Sequence, residues 1–382
     1  MCLLALFWVN SGYSEQKTPT VCLNMIVKDE SRVIERCLNS LKNYIDTWVI
    51  VDTGSTDGTQ ELIRKTLAEV PGELYERPWV NFGHNRQEAL TLAKDKADYV
   101  LFIDADEQLA FSPNFIKPVL EKDYYFVNFS DTDDDLLFSK VLLINMKKDW
   151  RWKGVIHEQL QSDTAITSGF LEPIRCIRNT SSSARSQDPN KYRKDAALLE
   201  KALITEPDNS RYVFYLAQSY GNAGERKLAL QNYEKRSKMG GWDQEVFWSL
   251  LMTAKLQEEL GYPIESIIKS YEKTYEYRPS RAEPLFYLSQ IYLKQNNPLT
   301  AYALGKLALS IPYPSDSGYI EGFVYQYGIP YALGTAAQLL HKKDEALVFY
   351  KQVLAQKKLP DQARIAVESR LNALLEPVTN LQ

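Results

Sequence analysis

The sequence predicts two domains of different class: an α/β domain with a mixed, Rossmann-like sheet, followed by an all-α domain of stacked helix pairs. Three observations carry this. From Val21 to about Met146, short β-branched and aromatic runs alternate with longer amphipathic stretches. From about Lys191 onward, Ala, Leu and Tyr recur at helical offsets with a repeat-like period. Between the two lies a polar, turn-rich stretch, 179–190, of linker composition. The expected organisation is therefore an apolar arm or signal-like segment at 1–20, an α/β domain at 21–178, a linker at 179–190 and helical repeats at 191–375. With 382 residues, 45% of them hydrophobic, the chain has enough apolar material for two separate cores.

Taken in order, Met1 to Val9 is apolar, but no Lys or Arg precedes it and no small-x-small cleavage pattern follows. It is also too short to span a bilayer, and no later stretch is long enough, so no transmembrane segment is expected. The run Val21–Val27 reads as a first strand ending in Lys28-Asp29-Glu30. Ser31 is then placed to cap a helix with Val33, Ile34, Leu38 and Leu41 on one face. Trp48–Val51 reads as a second strand ending at Asp52, and Tyr99–Ile103 as a third ending at Asp104. Polar residues at the carboxyl ends of three such strands mark the edge where open α/β sheets bind ligands.

In the second half, Leu216-Ala217 with Tyr220, then Ala229 and Tyr233, fits the tetratricopeptide spacing of small and aromatic positions. Leu333-Gly334 with Ala337, then Ala346 and Tyr350, fits it again, and Leu288-Ser289 with Tyr292 and Ala301 gives a weaker third match. About four stacked units are expected, since a single helix pair cannot bury its own apolar face. Tyr212, Tyr215, Tyr220, Tyr287 and Tyr292 are candidates for a contact surface in the groove of such a stack.

The chemistry is concentrated in four segments. Asp52 to Thr59 is a strand-to-helix turn with two glycines and several capping hydroxyls, a form that presents backbone N–H groups and a carboxylate to a ligand. Asp104-Ala105-Asp106-Glu107 ends a buried-type strand in three acids, a costly arrangement without a cation. Hard oxygen ligands of this kind suit Mn²⁺ or Mg²⁺ bridged to phosphates. Arg86, in a helix entered through Asn81 to Asn85, is placed for a diphosphate or for a surface ion pair. Of three histidines, His84 and His157 lie beside these residues. His157 is a candidate to complete a metal shell, Glu158 a candidate general base, and Trp150 and Trp152 are candidates for stacking or for core packing.

These motifs resemble family-2 glycosyltransferases. The resemblance rests on Val49 to Thr59, Asn85-Arg86 with Ala89-Leu90, and Asp104-Ala105-Asp106, in the family's order, and it covers residues 21 to about 160. With the repeats behind it, the chain is similar to the branch fused to tetratricopeptide repeats, which includes peptide S-glycosyltransferases and in which the segment ending in His157-Glu158 is also expected. The resemblance implies a GT-A fold and a nucleotide-diphosphate sugar as donor. Asp52 would lie at the base or ribose, Arg86 near the diphosphate, Asp104 at the ribose and Asp106 on the metal. Many members have a second acid where this chain has Thr53, which bears on whether the nucleotide is UDP. No Glu-Asp pair follows the metal motif, which leaves Glu158 as the base.

Two other classes stand beside this expectation. One is a tetratricopeptide-type protein-binding scaffold with an inactive glycosyltransferase-like domain. Retention of Asp52, Arg86, Asp104, Asp106 and His157 in order argues against decay. The other, a nucleotidyltransferase or related enzyme, would need a glycine-rich phosphate loop or a Walker lysine, and neither is present. The net charge of −4 gives no basic footprint for nucleic acid. Four cysteines without paired spacing indicate reduced thiols and a cytoplasmic setting. The acceptor is expected to be a peptide, protein or glycan, with the repeats binding it or joining copies into a homo-oligomer.

Overall fold

The computed structural model describes residues 18–113, 115–130, 136–179, 183–316 and 318–376. The segment read as an N-terminal arm or signal lies outside them except for residues 18–20. The chain divides into two compact units, Met1–Lys191 and Tyr192–Gln382.

In the first unit, β1 (Val21–Val27), β2 (Thr47–Asp52), β3 (Gly72–Glu76) and β4 (Tyr99–Phe102) run parallel to one another. They alternate with α1 (Ile34–Leu41), α2 (Thr59–Thr66) and α3 (Phe82–Leu92). The strands β5 (Glu107–Phe111), β6 (Tyr124–Ser130) and β7 (Leu136–Asn145) follow. The hairpin strands β8 (Arg151–Lys153) and β9 (Gln159–Gln161) come next, then β10 (Ser168–Arg178). Among the described residues, eight strands form one mixed sheet in the order β3-β2-β1-β4-β7-β6-β10-β5. The chain steps outward from β1 to β2 and β3 and then crosses back through α3 to β4 on the other side of β1, so the strand order reverses beside β1, the kind of point at whose carboxyl edge open α/β sheets bind ligands. Buried residues of β1, β2 and β4 are mostly apolar, as strands covered on both faces must be, and the buried Asn24 of β1 donates to Val49 O and Ala89 O.

The three expected strands form within a residue of the expected bounds. The Ser31 cap does not. Helix α1 begins at Ile34 without a side-chain cap, and the Ser31 N–H donates instead to Asp57 Oδ2 at 2.9 Å. The Ser31 hydroxyl, the group that a local cap would have used, also bonds Asp57 in the next loop. The three described cysteines, Cys22, Cys37 and Cys176, are buried and not joined to one another.

Of the stretch expected as a linker, the described residues 183–187 lie against the first unit. They include the short helix α4 (Ala184–Gln187), whose first N–H donates to Glu30.

The second unit is helical throughout: α5 (Lys191–Thr205), α6 (Ser210–Asn222), α7 (Arg226–Arg236), α8 (Asp243–Glu259), α9 (Ile264–Tyr277), α10 (Glu283–Lys294), α11 (Pro298–Leu309), α12 (Ile329–Leu339), α13 (Lys343–Leu354) and α14 (Asp361–Leu375). Successive helices from α6 to α14 pack on one another in order, which is the quasi-linear stacking of a tetratricopeptide-like array. Ala217, Ala229, Tyr233, Ala337, Ala346 and Tyr350, the positions that carried the pattern, are all buried. The pair α8 and α9 forms a further unit whose aromatic and aliphatic core lacks the small-residue signature. No helix among the described residues is long and apolar enough to cross a membrane.

Candidate functional site

The carboxyl edge of β1, β2 and β4 gathers the site. Asp52 ends β2 fully buried, and its Oδ1 accepts from the backbone N–H groups of Gly54 and Ser55, each at 2.8 Å. Its Oδ2 is buried with no partner. An unpaired buried carboxylate oxygen is expensive, and at the end of a strand facing a ligand crevice it is an acceptor held ready for a donor group. The loop after it is tied to β1, because the Asp29 and Glu30 N–H groups donate to Ser55 and Thr59 hydroxyls, each at 2.8 Å.

After β4, Asp104 and Glu107 close a tight turn on each other. The Asp104 N–H donates to Glu107 Oε2, and the Glu107 N–H donates to Asp104 O, each at 3.0 Å. Glu107 is thereby buried and shapes the turn that exposes Asp106. Four carboxylates, Glu30, Asp104, Asp106 and Glu107, crowd this edge. Burial, with Asp106 and Asp104 adding repulsion, pushes Glu30 up to about 7, and burial with Asp104 does the same to Glu107. Asp106 is raised by burial and by Asp104. Asp104 goes the other way: burial opposes its charge, but Arg86 and Lys140 outweigh it and hold it low.

Arg86 is the hinge of the arrangement. Its Nη2 is 2.6 Å from Asp104 Oδ1 and its Nε is 2.6 Å from Glu158 Oε1, while its guanidinium lies 5.4 Å from the Trp152 ring centre. Helix α3 projects it from its second turn. The helix start is capped by Asn81, whose side chain accepts from the His84 N–H. Asn85, one residue before Arg86, is fully buried and binds Val80 N–H and Pro78 O, so it holds the preceding loop rather than a ligand.

The β8–β9 hairpin is clipped to α3 by three bonds. Trp152 N–H donates to Gln87 Oε1 at 2.8 Å, Phe82 N–H to Val155 O at 3.0 Å, and the Arg86–Glu158 pair completes the set. Close approach is possible because residue 83 is glycine. A Cβ there would sit 2.0 Å from Gly154 O. Gly83→Ala is therefore expected to push the hairpin off α3, separate Glu158 from Arg86 and lower donor use by ~10-fold or more, the scale at which misplacing a site residue acts. Steady-state kinetics and a melting curve check it: unchanged values would show the hairpin adjusts freely.

Asp52, Asp104 and Asp106 thus share one edge, and Arg86 joins Asp104 to Glu158. His157 is exposed and left-handed, with φ of 51°. Among the described residues no group of three or more His, Cys, Asp or Glu side chains is disposed to hold an ion unaided. The donor set nevertheless fits a hard divalent ion bound jointly with a diphosphate, because Arg86 pairs with Asp104 whereas Asp106 and Glu30 keep the repulsion of their neighbours, and phosphate oxygens would supply the remaining ligands. Sequence reasoning overlooked Glu30 and the 183–187 segment. Ser183 bonds Asp106, Ala184 N–H donates to Glu30 Oε2 at 3.3 Å, and Arg185 lies 4.6 Å from the Phe82 ring centre. Nothing in a serine-rich stretch signals a site wall; only Glu30, charged at a strand end, was visible.

Residues 22–175 match the sequence model of glycosyl transferase family 2. The first unit carries a family-2 glycosyltransferase domain. The chain is 24% identical over 226 residues to the SPbeta prophage-derived glycosyltransferase SunS of Bacillus subtilis, covering 54% of this chain and 51% of SunS. An uncharacterized glycosyltransferase of Rickettsia bellii is 32% identical over 138 residues, 36% of this chain and 43% of that protein. The chain spans about half the length of the curated relatives it matches. The crystal structure of MamA covers 50% of this chain and 98% of its own at 14% identity, with a TM-score of 0.35. The matched glycosyltransferase domain contains Asp52, Arg86, Asp104, Asp106, His157 and Glu158, and ends before the 183–187 segment that lines the site.

Proposed function

We propose that the protein is a metal-dependent, inverting glycosyltransferase that moves a sugar from a nucleotide-diphosphate donor, with UDP the expected nucleotide, to a peptide, protein or glycan acceptor. The observation that carries this reading is the unpaired, buried Asp52 Oδ2 on the same sheet edge as the Asp104-Ala105-Asp106 turn. A nucleoside that donates an N–H or ribose hydroxyl to Asp52 leaves its diphosphate to run toward Asp106. Mn²⁺ or Mg²⁺, held by Asp106 with His157 as a further candidate, would neutralise the departing diphosphate.

Asp104, kept ionised by Arg86, accepts from the ribose. Arg86 fixes the carboxylates of Asp104 and Glu158 relative to each other, and adds positive charge beside the diphosphate. Glu158 takes the acceptor's proton as its nucleophile attacks the anomeric carbon from the face opposite the leaving group. Turn residues Asp104 and Glu107 keep Asp106 at the rim, and the 183–187 segment limits water on that side. The repeats contact the acceptor or a second copy.

A thermal-shift screen of nucleotide sugars with and without Mn²⁺ tests the reading, because a ligand that binds only the folded state raises the melting temperature by mass action. A UDP-sugar shift that requires the ion is expected. No shift with any nucleotide sugar would favour the scaffold reading, in which the repeats work and the glycosyltransferase domain does not.

A further inference from the structure

The connections between successive helix pairs are short, Ser237–Trp242 and Arg278–Ala282, but the one after α11 runs from Ser310 to Phe323 before a π-helical turn at Val324–Gly328. Asp316 and residues 318–321 in it cross the face formed by α6, α8 and α10. The Tyr319 ring centre lies 5.1 Å from that of Phe214 on α6, 5.5 Å from Trp248 on α8 and 6.0 Å from Trp242. Tyr319 O accepts from Arg281 at 2.7 Å, and Asp316 pairs with Arg281 at 2.9 Å and with Arg278. Glu321 pairs with Lys255 of α8 at 2.5 Å and accepts from the Tyr287 hydroxyl of α10 at 2.9 Å. Lys255 of α8, Arg278 and Arg281 of the α9–α10 connection, and rings of α6, α8 and α10 thus line one face, and a strap of two acids and a tyrosine lies along it.

The strap packs on the buried cluster around Phe214 and covers the fully buried Arg281, but two facts keep it distinct from the helix stack itself. Helices α11 and α12 pack directly on each other, so the stack continues without it. The groove's cations also keep partners of their own: Arg281 bonds Glu283 at 3.1 Å, Arg278 pairs with Asp243, and Lys255 bonds the Tyr287 hydroxyl at 3.0 Å. Tyr319 meanwhile has a φ of 57°, a left-handed conformation that a bulky residue adopts only when its contacts sustain it.

We propose that the strap is a ligand held in cis: the face of α6, α8 and α10 binds an extended acidic segment carrying an aromatic residue, and the chain closes that groove with its own Asp316, Tyr319 and Glu321. The partner is a peptide segment of another protein with carboxylates flanking a tyrosine or similar ring, which gains access when the strap lifts. The inference is independent of the sugar-transfer reading.

The probe is a fluorescent peptide of residues 311–323, titrated into the full-length protein and into Tyr319→Ala/Glu321→Ala, with circular dichroism confirming the fold. The double variant is expected to bind the peptide at least about tenfold more tightly than the wild type, a difference of ~1.4 kcal/mol. A peptide with its central tyrosine changed to alanine is expected to lose that binding. Equal affinity of wild type and variant, or a folded variant that binds no peptide, overturns the proposal. Tyr319→Ala alone, which keeps the ion pairs, is the milder version, expected to show a smaller gain. If neither variant folds, the strap is structural core and the proposal also fails.

Discussion

Asp106→Ala is expected to give a folded protein whose transfer rate is lower by ~10³-fold or more, the equivalent of about 4 kcal/mol of transition-state stabilisation. The reason lies in what surrounds the residue. Asp106 makes its side-chain bond to Ser183, and burial and Asp104 both oppose its charge, so its carboxylate is a strain on the folded state rather than a support. Removing it relieves that repulsion, and the melting temperature of the free protein should stay level or rise slightly. The Mn²⁺-dependent stabilisation by a nucleotide sugar should disappear with the carboxylate. Transfer assays and thermal shifts measured together decide the matter. Wild-type turnover of the variant in EDTA would remove the ion from the mechanism.

Arg86→Ala should show the opposite balance, with stability and activity falling together. The side chain of Arg86 is 12% exposed, as is that of Glu158, and breaking a buried pair leaves an uncompensated charge at a cost of about 3–5 kcal/mol. Asp104 is 37% exposed, and solvent screens part of its loss, so we expect about 2–4 kcal/mol. For a unit of this size that is a fall of roughly 5–10 °C in melting temperature. Donor use should drop by ~10²-fold or more, because Asp104 and Glu158 lose the group that orients both. Glu158→Gln separates the two roles. The amide still accepts from the Arg86 Nε–H, so the melting temperature should change little. Turnover should nonetheless fall by ~10²-fold if Glu158 is the base, with donor KM nearly unchanged. An Arg86→Ala variant with wild-type melting and wild-type donor KM would reduce the pair to a surface contact.

Local patterns were sufficient wherever one segment had to satisfy its own backbone and hydrophobic face. Strands β1, β2 and β4 are nearly continuous apolar runs, with Asn24 the polar position inside β1, and their ends are fixed by the charged residues that follow. The small positions Ala217, Ala229, Ala337 and Ala346 announced helix pairs because only small side chains let helices approach closely. Asp52, Asp104 and Asp106 were legible for the same reason, since acids at the end of a buried strand stand out against it. What the sequence by itself determined, then, was the three strands β1, β2 and β4, the change of class toward helices and the acidic edge.

Tertiary structure alone decided which groups meet. Arg86 and Glu158 are 72 residues apart, and their pairing depends on Gly83 admitting the β8–β9 hairpin against α3. Ser31 lost its capping role to Asp57, and Asn85 turned inward to hold the loop before it. The polar stretch 183–187 became a wall of the site because Glu30 and Asp106 offered it partners. Asp316, Tyr319 and Glu321 carry no pattern in the sequence, and their partners lie on or beside three helices. In each case the deciding energy is a contact between distant segments, and such a contact leaves no periodicity or composition in either segment for the sequence to display.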